Sequence, residues 1–244
     1  MHRFFVSPDA VSQTEIKITG NDVNHIKNVL RMQAGEQVEI CDGKGNDYSC
    51  VIKSLDRDCI LLDIEGSQPS DTELKQRIYL FQGLPKSDKM ELIIQKAVEL
   101  GVYEIIPTVT ARCIVKIDEK KEGKKLARWQ QISESAAKQS GRGIIPEIKA
   151  PMSLKQALEY AKVTECILIP YEKAEGMDAA RKLLTEISNK GSVAVFIGPE
   201  GGFEEKEIAL AGENGAHPIT LGKRILRTET AGLCILSVLM MNAE

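Results

Sequence analysis

Residues Ser192 to Glu205 read S-V-A-V-F-I-G-P-E-G-G-F-E-E, and the rest of the chain is organised around them. Val193 to Ile197 is a short apolar run, rich in β-branched side chains and without polar alternation. That is the pattern of a strand buried on both faces of a parallel sheet. It ends at Gly198-Pro199-Glu200-Gly201-Gly202, whose three glycines accept positive φ and let another molecule approach the backbone closely. Phe203 to Ile208 then reads as a helix start, with Glu204 and Glu205 suited to the positive end of the helix dipole. A second stretch repeats the arrangement. Pro218 to Leu221 reads as a strand, Gly222-Lys223-Arg224-Ile225-Leu226-Arg227 as a loop, and Thr228 as the cap of a nearly uncharged helix from Glu229 to Met241. In an α/β sheet the crevice beyond such strand ends is where ligands bind. Ordinary strand-to-helix turns would use the same residues without a ligand. Neither G-x-G-x-x-G nor G-x-x-x-x-G-K-[ST] occurs, which disfavours a dinucleotide fold or a P-loop.

The chain of 244 residues is long enough for one large or two small domains with a sizeable core. With 43% hydrophobic and 27% charged residues it has the balance of a globular protein, and the net charge of -3 does not advertise a nucleic-acid binder. The six cysteines (Cys41, Cys50, Cys59, Cys113, Cys166 and Cys234) form no C-x-x-C, and there are three histidines, so no metal site is expected. Cysteines inside apolar runs fit reduced, buried thiols in a cytoplasmic protein. The first residues lack the apolar core of a signal peptide, and the apolar C-terminal run is shorter than the ~20 residues a membrane span needs, so no membrane partner is expected.

Working outward, residues 1 to about 66 form a β-rich unit: strands at Arg3 to Val6, Glu15 to Ile18, Gln37 to Cys41, Tyr48 to Ser54 and Cys59 to Ile64, with one helix from Asn21 to Met32. Gly66 to Lys75, G-S-Q-P-S-D-T-E-L-K, is polar and turn-rich and reads as the linker. The expected domains are therefore 1–70 and 71–244. Beyond the linker, strands and helices alternate, the mark of a largely parallel sheet: a strand at Arg77 to Leu84, a helix capped by Ser87, a strand at Glu104 to Thr108, a long charged helix over Glu119 to Ser140, and further pairs to the C-terminus.

In a parallel sheet the loops after the strands share one edge. Lys86 and Lys89 follow the first strand of the second domain, Arg112 the next, and Arg224 and Arg227 lie in the last loop, so these cations gather near one crevice unless they are merely solvated. In the first domain, Arg3 stands beside Phe4 and Phe5, and His25 and Arg31 lie near the helix ends. Cations beside aromatics can stack on bases, although the aromatics are equally suited to the core.

Six motifs then become recognisable: H-R-F-F-V at the start, H-I-K-N-V-L-R-M at 25–32, K-A-V-E-L-G-V at 96–102, R-W-x-x-I-x-x-x-A-A-K-Q-S-G-R at 128–142, I-G-P-E-G-G-F at 197–203 and L-G-K-R-I-L-R-T-E-T-A at 221–231. Together they resemble the RsmE-type ribosomal RNA methyltransferases over nearly the whole chain. One departure is Ala111-Arg112-Cys113, where the family has an acidic residue, Arg and Ser. The resemblance implies an α/β fold: a SPOUT-type α/β trefoil-knot domain behind an N-terminal PUA-like β-barrel that binds RNA. It implies methylation of N3 of a uridine in 16S rRNA of the small ribosomal subunit, with S-adenosylmethionine as cofactor, by a homodimer with its active site at the interface. Carried over residue by residue, it assigns the cofactor to Pro170, Ile197, Gly198, Pro199, Glu200, Gly201, Leu221, Gly222, Ile225, Leu226 and Arg227. Arg227 and Arg112 become candidate cations for the developing uracil anion, and Glu200 a candidate proton acceptor. Arg3, His25, Arg31, Lys86 and Arg142 become candidate RNA contacts. A ribose 2′-O methyltransferase of the same superfamily and a non-catalytic RNA-binding assembly factor are the alternatives.

Overall fold

The computed structural model describes residues 2–115, 119–174 and 176–244. The chain divides into two compact units. One is Met1–Glu73 with Ala137–Ile145; the other is Leu74–Ala136 with Pro146–Glu244. The segment 137–145, on the far side of the linker in sequence, thus packs with the N-terminal residues.

The first unit holds one five-stranded sheet: β1 (His2–Phe5), β2 (Glu15–Thr19), β3 (Gln37–Cys41), β4 (Asn46–Leu55) and β5 (Cys59–Pro69). The strand order is β1-β3-β4-β5-β2, with β1 parallel to β3 and the other neighbours antiparallel. Alternating apolar residues supply the core: Ile16 and Ile18 from β2, Ile40 from β3, Ile52 from β4, and Ile60 and Leu62 from β5. A one-residue slip of any strand would turn that set to solvent, so burial fixes the register. β4 and β5 stay paired out to Asn46 and Pro69. Gly66 to Pro69, linker-like in composition, is therefore ladder. The reason lies at the turn before β4, where the Asp42 carboxylate accepts from the N–H groups of Lys44 (2.8 Å) and Asn46 (3.1 Å) and from the Asn46 amide (2.7 Å). This Asx-type turn starts β4 early, and β5 follows its partner.

The helix expected over Asn21 to Met32 is shorter and irregular. α1 (Asn21–Asn24) passes into a π turn, His25–Val29, in which the Leu30 N–H bonds the His25 carbonyl at 2.9 Å. Arg31, at φ 56, ends it.

The second unit is a parallel α/β sheet. Its elements in order are β6 (Arg77–Gly83), α2 (Lys89–Glu99), β7 (Glu104–Val109), α3 (Glu119–Ser140), β8 (Glu147–Ile148), β9 (Met152–Ser153), α4 (Leu154–Ala161), β10 (Ile167–Pro170), α5 (Met177–Glu186), β11 (Ser192–Ile197), α6 (Glu205–Glu213), β12 (Ala216–Ile219) and α7 (Thr228–Ala243). The sheet order is β12-β10-β11-β6-β7-β8, with β9 also on β7 and every pair parallel. β11 is thus inserted between β6 and β10, and β12 returns to the far side of β10. Consecutive crossovers run in opposite directions, which opens a crevice at the strand ends. The continuous apolar run of β11 is buried on both faces, and Phe196 stacks on Phe81 of β6 with ring centroids 4.3 Å apart.

Two helix starts differ from expectation. Ser87 does not cap α2: it sits at φ 57, and Asp88 holds the cap position without a side-chain bond. Arg227 holds the cap position of α7, and Thr228 is the first helical residue, with its hydroxyl used elsewhere.

Candidate functional site

The C-terminal ends of β10, β11 and β12 enclose a cavity of about 520 Å³, within the usual range for a small-molecule site. The loop after β11 contributes Gly198 to Phe203, and the loop after β12 contributes Thr220 to Gly222 and Arg224 to Arg227. Pro170 to Glu172 after β10, and Lys89 of α2, complete the wall with Thr228 and Ala231 of α7. Gly201 and Leu226, far apart in sequence, line the same space. Gly202 (φ 66) and Gly222 (φ 118) hold conformations that side chains disfavour, so the two glycine loops turn where only glycine turns freely. Ile225, 89% exposed, forms an open apolar lip.

Three sets of contacts lace these loops together. Gln82, fully buried at the end of β6, donates its amide to the Thr228 hydroxyl at 2.9 Å, and that hydroxyl donates to the Gly198 carbonyl at 2.5 Å. Gly83 lets the loop after β11 lie against β6, because a Cβ there would stand 2.6 Å from the Pro199 nitrogen. The Glu200 carboxylate accepts from the Lys86 N–H at 3.0 Å and from the Lys89 ammonium at 3.0 Å, and Lys89 also lies 3.5 Å from Glu229 of α7. Burial alone would raise the Glu200 carboxyl, but hydrogen bonds from its own backbone N–H, from Lys86 and from Lys89 outweigh it and hold the group below its ordinary range.

All eleven residues assigned to the cofactor line the cavity. The candidate catalytic residues fare differently. Arg227 lines it with an exposed side chain that has no ion-pair partner among the described residues. Arg112 does not line it: its guanidinium donates to the Gly201 carbonyl at 2.7 Å and faces a neighbouring depression, so it braces the glycine loop from outside. Glu200, expected as a proton acceptor, is occupied by Lys86 and Lys89, and its lowered pKa makes it a weak base.

The candidate RNA contacts also divide. His25, Arg31 and Lys86 are exposed. Arg3 is not available. It bridges Glu39 (3.1 Å) and Asp47 (2.7 Å) and donates to the Arg142 carbonyl at 3.2 Å. Arg142, 4% exposed, pairs with Glu73 at 2.6 Å. Both arginines hold the first unit together because the carboxylates that neutralise them come from strands and segments no local pattern brings together. Sequence reasoning missed Glu172, Thr228 as a lacing residue, and Glu229. Only the R-T-E-T-A run, shared with the loop it follows, offered a signal for the last two. Among the described residues, no group of three or more His, Cys, Asp or Glu is placed to hold a metal ion, and no helix is long and apolar enough to cross a membrane.

Residues 72–240 match the model of the RNA methyltransferase domain, and residues 18–65 that of the RNA methyltransferase PUA domain. The chain is 35% identical over 250 residues to ribosomal RNA small subunit methyltransferase E of Bacillus subtilis, covering 100% of this chain and 98% of that one. It is 35% identical over 238 residues to the protein of that name from Mesomycoplasma hyopneumoniae, covering 97% and 98%. Among solved structures, the Neisseria gonorrhoeae ribosomal RNA small subunit methyltransferase E bound to S-adenosyl methionine superposes with a TM-score of 0.82 at 35% identity, over 97% of this chain and 95% of that one. A Legionella pneumophila methyltransferase in complex with the cofactor SAM gives 0.83 at 34%, over 98% and 96%. With a family model spanning most of its length and full-length relatives at this identity, the chain belongs to the ribosomal RNA small subunit methyltransferase E family of RNA methyltransferases.

Proposed function

We propose that this protein transfers a methyl group from S-adenosylmethionine to N3 of a uridine in the 16S rRNA of the small ribosomal subunit. The observation that carries the reading is the single cavity built from both glycine loops at the switch point of the sheet. Its residues fit the cofactor: Leu221, Ile225 and Leu226 offer apolar faces to an adenine, and the glycines leave backbone N–H and C=O groups within reach of polar atoms. When bound, S-adenosylmethionine supplies an already activated methyl on a sulfonium. The chain's task is to hold the acceptor in line with it and to keep water away. Uridine N3 attacks only as it loses its proton, and the resulting charge spreads onto the ring carbonyls. Arg227, exposed at the cavity and without an ion-pair partner among the described residues, is the proposed cation for that charge. Glu200, kept ionised by Lys86 and Lys89, anchors the loop that carries Gly198 and Gly201.

His25 and Arg31 on the first unit, and Lys86 on the second, are the proposed RNA contacts, and with a net charge of -3 the protein reads a structured particle rather than free RNA. The target base reaches the cavity unpaired or flipped out. A homodimer is supported by α7, whose exposed face carries Cys234, Val238 (38% exposed) and Met241 (71% exposed) without a charge. The return of β12 past β10 is in keeping with the knotted SPOUT topology, and the ribosomal substrate with a cytoplasmic location. The test is incubation with methyl-labelled S-adenosylmethionine and small subunits from cells lacking the enzyme, followed by nucleoside analysis. Labelled N3-methyluridine is expected. Label on a ribose would move the protein to the 2′-O class, and no label would make it a binding protein.

A further inference from the structure

Lys89 sits in the cavity wall between two carboxylates, Glu200 of the loop after β11 at 3.0 Å, which also lines the cavity, and Glu229 in the first turn of α7 at 3.5 Å, just behind the lining. All three side chains are a third exposed or less, and Glu229 is 15% exposed with Oε2 buried and without a hydrogen-bond donor of its own. One ammonium facing two carboxylates leaves the cluster with one excess negative charge. The cavity is also lined by Arg224 and Arg227, on the loop after β12, and by Glu172, after β10, all three exposed.

The cofactor and its product differ in charge. S-adenosylmethionine carries a sulfonium, an ammonium and a carboxylate, a net of one positive charge. Loss of the methyl cation to the acceptor turns the sulfonium into a neutral thioether, so S-adenosylhomocysteine has no net charge. A cavity of about 520 Å³ is about 10 Å across, so any charge bound in it lies within about one Debye length of the wall. We propose that the Lys89–Glu200–Glu229 cluster is the charge selector of the cavity, favouring the cationic methyl donor over the neutral product and so promoting product release. This rests on the assignment of the cavity to S-adenosylmethionine. It also explains why two acidic residues converge on one lysine: a single carboxylate would have neutralised it, and the second leaves the cluster negative.

The test is the ratio of the dissociation constants for S-adenosylmethionine and S-adenosylhomocysteine, measured by titration calorimetry on folded variants. Glu229→Gln removes the excess charge and is expected to weaken donor binding about three- to tenfold, from a unit charge acting across such a distance at intermediate dielectric, while product binding changes less than twofold. Lys89→Gln doubles the excess charge and is expected to shift the ratio in the opposite direction. A merely structural role predicts parallel losses for both ligands in both variants, and that result, or unchanged ratios, overturns the proposal. Wild-type protein that binds neither ligand refutes the cofactor assignment itself, which separates the two failures.

Discussion

Replacing Gly83 by Ala tests how the cavity is held in shape, because Gly83 is outside its lining. The new Cβ would meet the Pro199 nitrogen at 2.6 Å, Pro199 Cδ at 2.7 Å and the Gly198 carbonyl carbon at 2.9 Å. Two of these are backbone atoms, which no rotamer change removes. Gly83 is the last residue of β6, a central strand, and is still paired with Thr108 on β7, so the strand is the stiffer partner and the loop after β11 must give way. Relief to an ordinary contact requires a displacement of roughly 1 Å. Overpacking of that kind costs about 1–3 kcal/mol of stability. The larger effect is on function, since the displaced segment carries Gly198 and Pro199 and is tied through Thr228 to the start of α7. A misplacement of ~1 Å in a positioning element can cost ~10²-fold in rate. Denaturant unfolding, calorimetry with S-adenosylmethionine and a methyl-transfer assay read the three consequences. Wild-type affinity and rate in a folded Gly83→Ala protein would refute the claim that β6 sets the position of the glycine loop.

Thr228→Val removes the hydroxyl that joins Gln82 to Gly198 while keeping the shape. It should cost about 1–2 kcal/mol of stability and weaken donor binding, with Thr228→Ser restoring both, as read by thermal unfolding and calorimetry. Because the Glu200 carboxyl is depressed in the folded protein, the anchor it provides is in place above the ordinary carboxylate pKa of about 4 and is lost as pH falls through its own lower value. Donor affinity should therefore be flat from neutrality down to that range and fall below it, and Glu200→Gln should abolish this acid limb; a loss of turnover by orders of magnitude with unchanged donor affinity would instead make Glu200 the base. Tyr160 donates to Glu104 at 2.8 Å, and Lys149 holds the other side of that buried carboxylate at 3.2 Å. Tyr160→Phe should cost about 1–2 kcal/mol in denaturant unfolding without altering donor binding. Burial pushes the Cys41 and Cys50 thiols up to about 11, so both should resist alkylation at neutral pH, whereas Cys234 should react rapidly on dilution and slowly at concentrations where α7 is covered by a second copy.

The parallel sheet was legible because β11 and its neighbours are unbroken apolar runs, and both glycine loops because they interrupt such runs without ambiguity. Neither signal says that β11 slots between β6 and β10, which depends on pairings distant in sequence. Most of the residues proposed for the cofactor lie in two short loops, so local motifs were enough to pick out residues that line one cavity. Glu200 shows the limit of that reasoning. Its residue type and place in the loop suit a base, yet its chemistry is set by Lys86 and Lys89, more than a hundred positions away. Arg3 and Arg142, expected as RNA contacts, are instead ion-paired for the same reason: Asp47, Glu39 and Glu73 reach them only through the fold. The π turn at His25–Val29 was hidden because its apolar spacing is close to that of an α-helix, and the ending depends on the φ of Arg31.

On the proposed function, the loops after β11 and β12 form one cup for the methyl donor. Crystals of the protein soaked with S-adenosylmethionine test it most directly. Density for the adenosine is expected between Gly198–Gly201 and Leu221–Leu226. Density confined to the depression beside Arg112, or none in crystals that diffract well at saturating donor, would contradict it.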